Sequence, residues 1–200
     1  MLKEPPRRLS SRRRLHPRPY AVRKPRDYRA HNPGELVQGD TLDVRPLPGV
    51  VLKHFTARDV VSRWGVLGVH TRATVTIAQG FLDSLIRRMP FPIKAVQVEG
   101  GSEFQAMFEE ACWEKSIPLL VLPPRSPKLN GHMEGAHRTH REEFYEVYDG
   151  DLQMEPLNRA LKRWGWVYNH LRPHQALDNR TPQEHLRQCH PDMSPLSHMC

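Results

Sequence analysis

Apolar residues cluster in the middle of the chain, and the texture changes from Gly34 onward. Glu35 to Val44 carries Leu36, Val37, Leu42 and Val44 and reads as a strand. Gly49 to Thr56 and Trp64 to Thr71 read as two more, with Pro48-Gly49 suited to the first turn and Asp59 to Arg63 in the second connection. Three successive strands predict an antiparallel meander. From Thr74 to Arg88 the period changes: Val75, Ala78, Phe81, Leu82 and Leu85 share one helical face, and Pro90 and Pro92 end it. Ile93 to Val98 predicts a fourth strand, Glu103 to Lys115 a helix and Ile117 to Leu122 a fifth strand. A loop marked by Pro123, Pro124, Pro127 and Gly131 follows. Helices are predicted from about 131 to 148 and from about 156 to 171. The order βββ-α-β-α-β-α-α predicts an α/β fold, a five-stranded mixed sheet flanked by helices.

The flanks differ in composition. Residues 1–33 are rich in Arg and Pro and read as a basic, extended arm or linker that cannot order itself alone. Residues 34–188 form the folded core, and 189–200 read as a disordered tail. The formal net charge of +8 fits a polyanionic partner, DNA or RNA before others. The charge concentrates in the arm, where Arg12, Arg13 and Arg14 stand in series as candidate phosphate contacts. Three cysteines with no CxxC pair argue against a disulfide framework. No apolar run approaches a bilayer span, and no apolar segment follows the basic N-terminus as in a secretory signal. A soluble cytoplasmic protein with no membrane partner is the expectation.

Three acids stand where phosphodiester chemistry would want them. Asp40 lies inside the first strand, in VQGDTLDV, where an ionised group is costly unless paired or metal-bound. Glu99 ends the fourth strand, in VQVEGGSEF, before two glycines that allow a sharp turn. Glu134 opens a helix, in KLNGHMEGAHRTHREEF. Carboxylates from two strands and a helix can converge on hard divalent cations, Mg²⁺ or Mn²⁺.

These blocks resemble the integrase catalytic core of bacterial insertion-sequence (DDE-type) transposases, in the retroviral-integrase superfamily. GELVQGDTLDV is similar to the block with the first catalytic Asp, and VQVEGGSEF to the second block. LPPRSPKLNGHMEGAHRTHREEFYE is similar to the block with the catalytic Glu, and YNHLRPHQALDNRTPQEHL to the closing tail. The resemblance implies a ribonuclease H-like fold and a polynucleotidyl transferase that cleaves and transfers DNA strands. It assigns Asp40, Glu99 and Glu134 as catalytic residues and ligands of two Mg²⁺ or Mn²⁺ ions. It implies DNA partners, both element ends and target, and a homo-oligomer on DNA. It also places Lys128 and Asn130 among the DNA contacts.

The chain departs from the family pattern twice. Glu99 stands where the pattern has Asp, and Gly135 follows Glu134 where it usually has Arg. The extra methylene at Glu99 would move a metal, and a shift of about 1 Å can cost on the order of 10²-fold in rate. The alternative implied is a truncated or decayed, catalytically weak DNA-binding remnant, without the helix-turn-helix region of complete relatives.

Other residues read more plainly. His137, Arg138 and Arg141 extend along the Glu134 helix, either as phosphate contacts or as a solvated face. Asp43 points away from Asp40 and is expected to be structural or exposed. Glu103 suits a helix start. Trp164, Trp166 and Tyr168 read as core packing rather than a base-stacking platform. The pairs His137/His140 and His170/His174 lack cysteine partners, and structural zinc is not expected there.

Overall fold

The computed structural model describes residues 20–25, 27–99, 101–122 and 131–191, apart from the side chain of His132. Arg12, Arg13, Arg14, Lys128 and Asn130 lie outside the described residues. Among the described residues six strands form one mixed sheet: β1 (Ala21–Arg23), β2 (Val37–Val44), β3 (Leu52–Asp59), β4 (Gly65–His70), β5 (Val96–Val98) and β6 (Leu119–Val121), in the order β1-β6-β5-β2-β3-β4. The expected meander is present, with β2, β3 and β4 antiparallel. β5 joins β2 in parallel, β6 joins β5 in parallel, and β1 adds to β6 in parallel.

The count is six rather than five because the arm supplies a strand. β1 pairs Ala21–Arg23 with Leu119–Val121, Ala21 is buried and Tyr20 stacks on Trp113. Tyr28 and Ala30 pack against Leu36, Ala95 and Leu120. A short basic segment that cannot order itself alone is ordered here by the open edge of β6, whose backbone groups it pairs.

Among the described residues five α-helices cover the sheet: α1 (Val75–Arg88), α2 (Met107–Glu114), α3 (Gly131–His140), α4 (Met154–His170) and α5 (Pro182–Cys189). The helix expected over Glu103–Lys115 is broken, because Ala106 takes a positive φ of 48° between a 3₁₀ turn at Ser102–Phe104 and α2. α3 continues into a π-helical turn, Arg141–Tyr145. α5 was not expected. Its start is nonetheless written in the sequence: Thr181 and Glu184 form a reciprocal capping box, with Pro182 in the first turn.

Alternation along β2 and β3 divides the two faces of the sheet. Val37, Phe55, Ala57, Val96 and Val98 enter the larger core with Phe81, Leu82 and Phe108 from α1 and α2. The other face begins apolar at Val44 and Leu52, which meet Phe144, Leu157 and Leu161. It then turns polar: Gln38, His54, Thr56 and Gln97 are all buried on it. Among the described residues no helix is long and apolar enough to cross a membrane.

Candidate active site

Asp40 sits in mid-β2 opposite Thr56 of β3, on the polar face. Its neighbour Gly39 is in register with Val98, the last residue of β5. Glu99 follows Val98 immediately, and strand alternation carries it to the face of Gln97 and Asp40. The Asp40 carboxylate is partly buried, and its Oδ1 accepts a hydrogen bond from Thr41 N at 2.8 Å. Glu99 and Glu134 are exposed.

α3 crosses above these strands. His137, one turn after Glu134, places Nδ1 3.9 Å from Asp40 Oδ2, with side-chain exposures of only 12% and 18%. That distance is beyond a hydrogen bond. Burial pushes the His137 imidazole down to about 4, assisted by Arg141 and opposed by Glu134, so it is neutral near pH 7. The same balance places Arg141 and Glu134 electrostatically within reach of His137. The helix carrying the third acid is thus anchored beside the first.

α3 is held there by a buried polar network. His140 Nδ1 lies 3.0 Å from His54 Nε2 and 3.4 Å from Thr56 Oγ1, and His54 Nδ1 lies 2.8 Å from Tyr145 Oη. His54 and His140 are fully buried, and both imidazoles are pushed well below their ordinary range, chiefly by desolvation.

Residues 115–182 match the Integrase core domain family. Solved structures similar to the chain include the simian T-cell lymphotropic virus intasome in complex with PP2A regulatory subunit B56 gamma. That likeness has 20% identity and a TM-score of 0.69, covering 86% of this chain and 60% of that one. The BIV integrase catalytic core is similar at 22% identity and a TM-score of 0.63, covering 80% and 98%. The HTLV-2 integrase catalytic core in complex with magnesium, in its trimeric form, is similar at 16% identity and a TM-score of 0.56, covering 78% and 98%. No curated protein sequence matches. The fold is ribonuclease H-like, as in those integrase catalytic cores.

Within that integrase-core fold, Asp40 lies in β2, Glu99 directly follows the neighbouring β5, and Glu134 lies in α3, which packs on β2. Among the described residues no three His, Cys, Asp or Glu side chains close on one point as a ready metal cluster. The donor set still fits a hard divalent cation, because all three groups are carboxylates and two are open to solvent. Mg²⁺ keeps several waters and needs only one or two protein carboxylates.

The remaining candidates separate by exposure. Arg138 and Arg141 are exposed on the α3 side, whereas His137 is largely buried against Asp40. Asp43 is exposed and pairs with Lys53, and Glu103 sits in the first turn of the 3₁₀ segment. Tyr168 is core, at 2% exposure, and Trp164 packs against it. Trp166 is 53% exposed and is no core residue: it falls on the face of α4 opposite Leu157, Leu161 and Gly165.

Sequence reasoning missed the residues that hold the frame. Asn169 accepts from Gly65 N at 2.8 Å and donates to Gly65 O at 2.9 Å, clamping α4 to β4. Arg172 donates from two nitrogens to both carboxylate oxygens of Glu143 in the π turn, at 2.7 and 2.5 Å. Both belong to the tail block, so much of that motif is structural. His54 carried no signal, since its partners are 86 and 91 residues away.

Proposed function

We propose that this chain is a DNA strand-cleaving and strand-joining enzyme of the transposase/integrase type, of bacterial insertion-sequence origin. The observation that carries it is Asp40 on β2, beside the end of β5 that Glu99 follows, with the helix of Glu134 packed on β2 and its His137 3.9 Å from Asp40. Asp40, Glu99 and Glu134 would hold two Mg²⁺ or Mn²⁺ ions. Such ions activate an attacking oxygen and stabilise the leaving one. In the reaction a water or a 3′-hydroxyl attacks a phosphodiester in line, and the 3′-oxygen of the cut strand leaves. The chain's own contribution is to fix the carboxylates, hold α3 over β2 and β3 through the buried His54–His140 network and bind phosphates. Arg138 and Arg141 from α3, Lys128 and Asn130 from the preceding loop, and Arg12, Arg13 and Arg14 from the arm are the phosphate contacts. DNA supplies both partners, element ends and target, on a homo-oligomer in the cytoplasm.

The test is nicking and joining of labelled duplex DNA in Mg²⁺ and in Mn²⁺. Asp40→Asn and Glu134→Gln should each lower the rate at least 10²-fold with DNA affinity retained. Equal rates in the wild-type and both variant proteins would overturn the assignment.

Glu99 favours a second reading, a catalytically weak remnant. Its carboxylate is one methylene longer than the aspartate of the family pattern. Glu99→Asp, alone and with Gly135→Arg, should raise the rate more than the affinity for DNA. A wild-type rate equal to that of Glu99→Asp would make Glu a working ligand.

A further inference from the structure

α4 buries one stripe and leaves another uncovered. Leu157, Leu161, Gly165 and Tyr168 face the sheet. On the opposite side Arg159, Lys162, Arg163, Trp166 and His170 follow at spacings of three and four, so they share one face. Arg159, Lys162, Arg163 and Trp166 are exposed. From Pro156 to Leu177 the chain contains no acidic residue. Arg159 meets Glu155 at the start of the helix, and Lys162 and Arg163 have no ion-pair partner among the described residues.

Trp166 stands at the middle of this stripe. Its ring stacks on the His170 ring, with centroids 4.8 Å apart and planes 12° from parallel, and His170 Nδ1 is in turn held at 2.9 Å from Trp166 O. A large flat aromatic surface is therefore fixed in orientation while half exposed, among cations. Holding it costs little further ordering when a planar ligand arrives.

We propose that this face of α4 is a DNA-binding surface separate from the strand-transfer site, taking the phosphates of a strand on Lys162 and Arg163 and stacking a base or sugar on Trp166. The proposal rests on the reading of this chain as a DNA strand-transfer enzyme. Charge complementarity selects the occupant: a polyanion with planar bases matches cations interleaved with an aromatic ring. The stripe from Arg159 to His170 is about 16 Å long at the helical rise, enough for several phosphates. α4 packs on β4, two strands across the sheet from Asp40, and the stripe is on the side of α4 turned away from that sheet. DNA on α4 can thus be a different segment from the one being cut, as a reaction joining two DNAs requires.

The experiment uses the full chain with a fluorescein-labelled duplex and single strand, over a series of salt concentrations, with sedimentation velocity alongside. The variants are Lys162→Glu with Arg163→Glu, and Trp166→Ala. These exposed positions should leave the unfolding midpoint unchanged. The double reversal should weaken DNA binding at least ten-fold and reduce the salt slope by about 2, one for each lost phosphate contact. Trp166→Ala should weaken single-strand binding by about five- to a hundred-fold with the salt slope unchanged. Unaltered affinity and slope in both variants, with wild-type protein that binds and nicks DNA, would overturn this proposal alone. A wild-type protein that binds no DNA would overturn the strand-transfer reading and this proposal together. If Trp166→Ala dissociates an oligomer and leaves DNA binding intact, the face is a contact between copies, and the proposal fails.

Discussion

His54 Nε2 and His140 Nδ1 lie 3.0 Å apart in the core, one from β3 and the other from the last residue of α3. Both rings are neutral, so one nitrogen donates and the other accepts, with Tyr145 and Thr56 completing the set. The contact joins the strand beside Asp40 to the helix of Glu134. Removing one partner strands the other in a dry interior. His140→Leu should therefore destabilise the protein by about 1–3 kcal/mol, the desolvation of an orphaned group. Urea unfolding measures it, and an unchanged midpoint would show that the pair contributes nothing.

Acid should unfold the protein through the same histidines. Burial is the main cause of the lowered pKa of His54 and of His140, and it holds His174 down to about 4. In the unfolded chain these rings titrate near 6.5. Between the two values the unfolded state binds more protons, so stability rises with pH across that window and is level above it. Each fully differential histidine contributes a slope of at most about 1.4 kcal/mol per pH unit. The unfolding midpoint should fall as pH drops from about 6.5 to 4.5, and fall less steeply in His140→Leu. A level profile in the wild-type protein would contradict the buried neutral assignment.

Asn169 satisfies both backbone groups of Gly65. Asn169→Leu removes two hydrogen bonds and leaves a buried N–H and C=O unpaired. A loss of about 2–4 kcal/mol follows, from the bonds and the orphaned groups together. Amide hydrogen exchange at Gly65 should accelerate with it, which a global loss of packing elsewhere would not single out.

Two glycines should respond in opposite directions. Gly135 is exposed on α3, and a Cβ there would meet nothing within 4 Å, so Gly135→Ala should stabilise by about 0.5–1 kcal/mol through helix propensity. Gly34 has φ +80°, its Cβ would fall 2.2 Å from Pro92 O, and its N–H donates to buried Asp59. Gly34→Ala should be destabilising, since backbone must move to admit it. Thermal unfolding of the two variants distinguishes them by sign.

The sequence by itself determined the meander and the helix over Val75–Arg88, and it nominated the acids Asp40, Glu99 and Glu134. Those signals are local: alternation within a strand, a 3.6-residue period in a helix, prolines and glycines at the ends. The tertiary structure decided which face of each strand carries chemistry. Gln38, His54, Thr56 and Gln97 look like polar interruptions in the sequence, and only the register of β2 with β3 and β5 assembles them into one buried polar face. It also decided that Ala21–Arg23 becomes a strand, because the open edge of β6 lies about a hundred residues away. The tail block shows the division most clearly. Its residues were legible as a family signature, yet Tyr168 in the core, Asn169 on Gly65 and Arg172 on Glu143 are there to hold the frame. Local patterns specify elements because they depend on neighbours in the chain. Partners that meet across a sheet or from separate helices are set by packing, which sequence spacing does not encode.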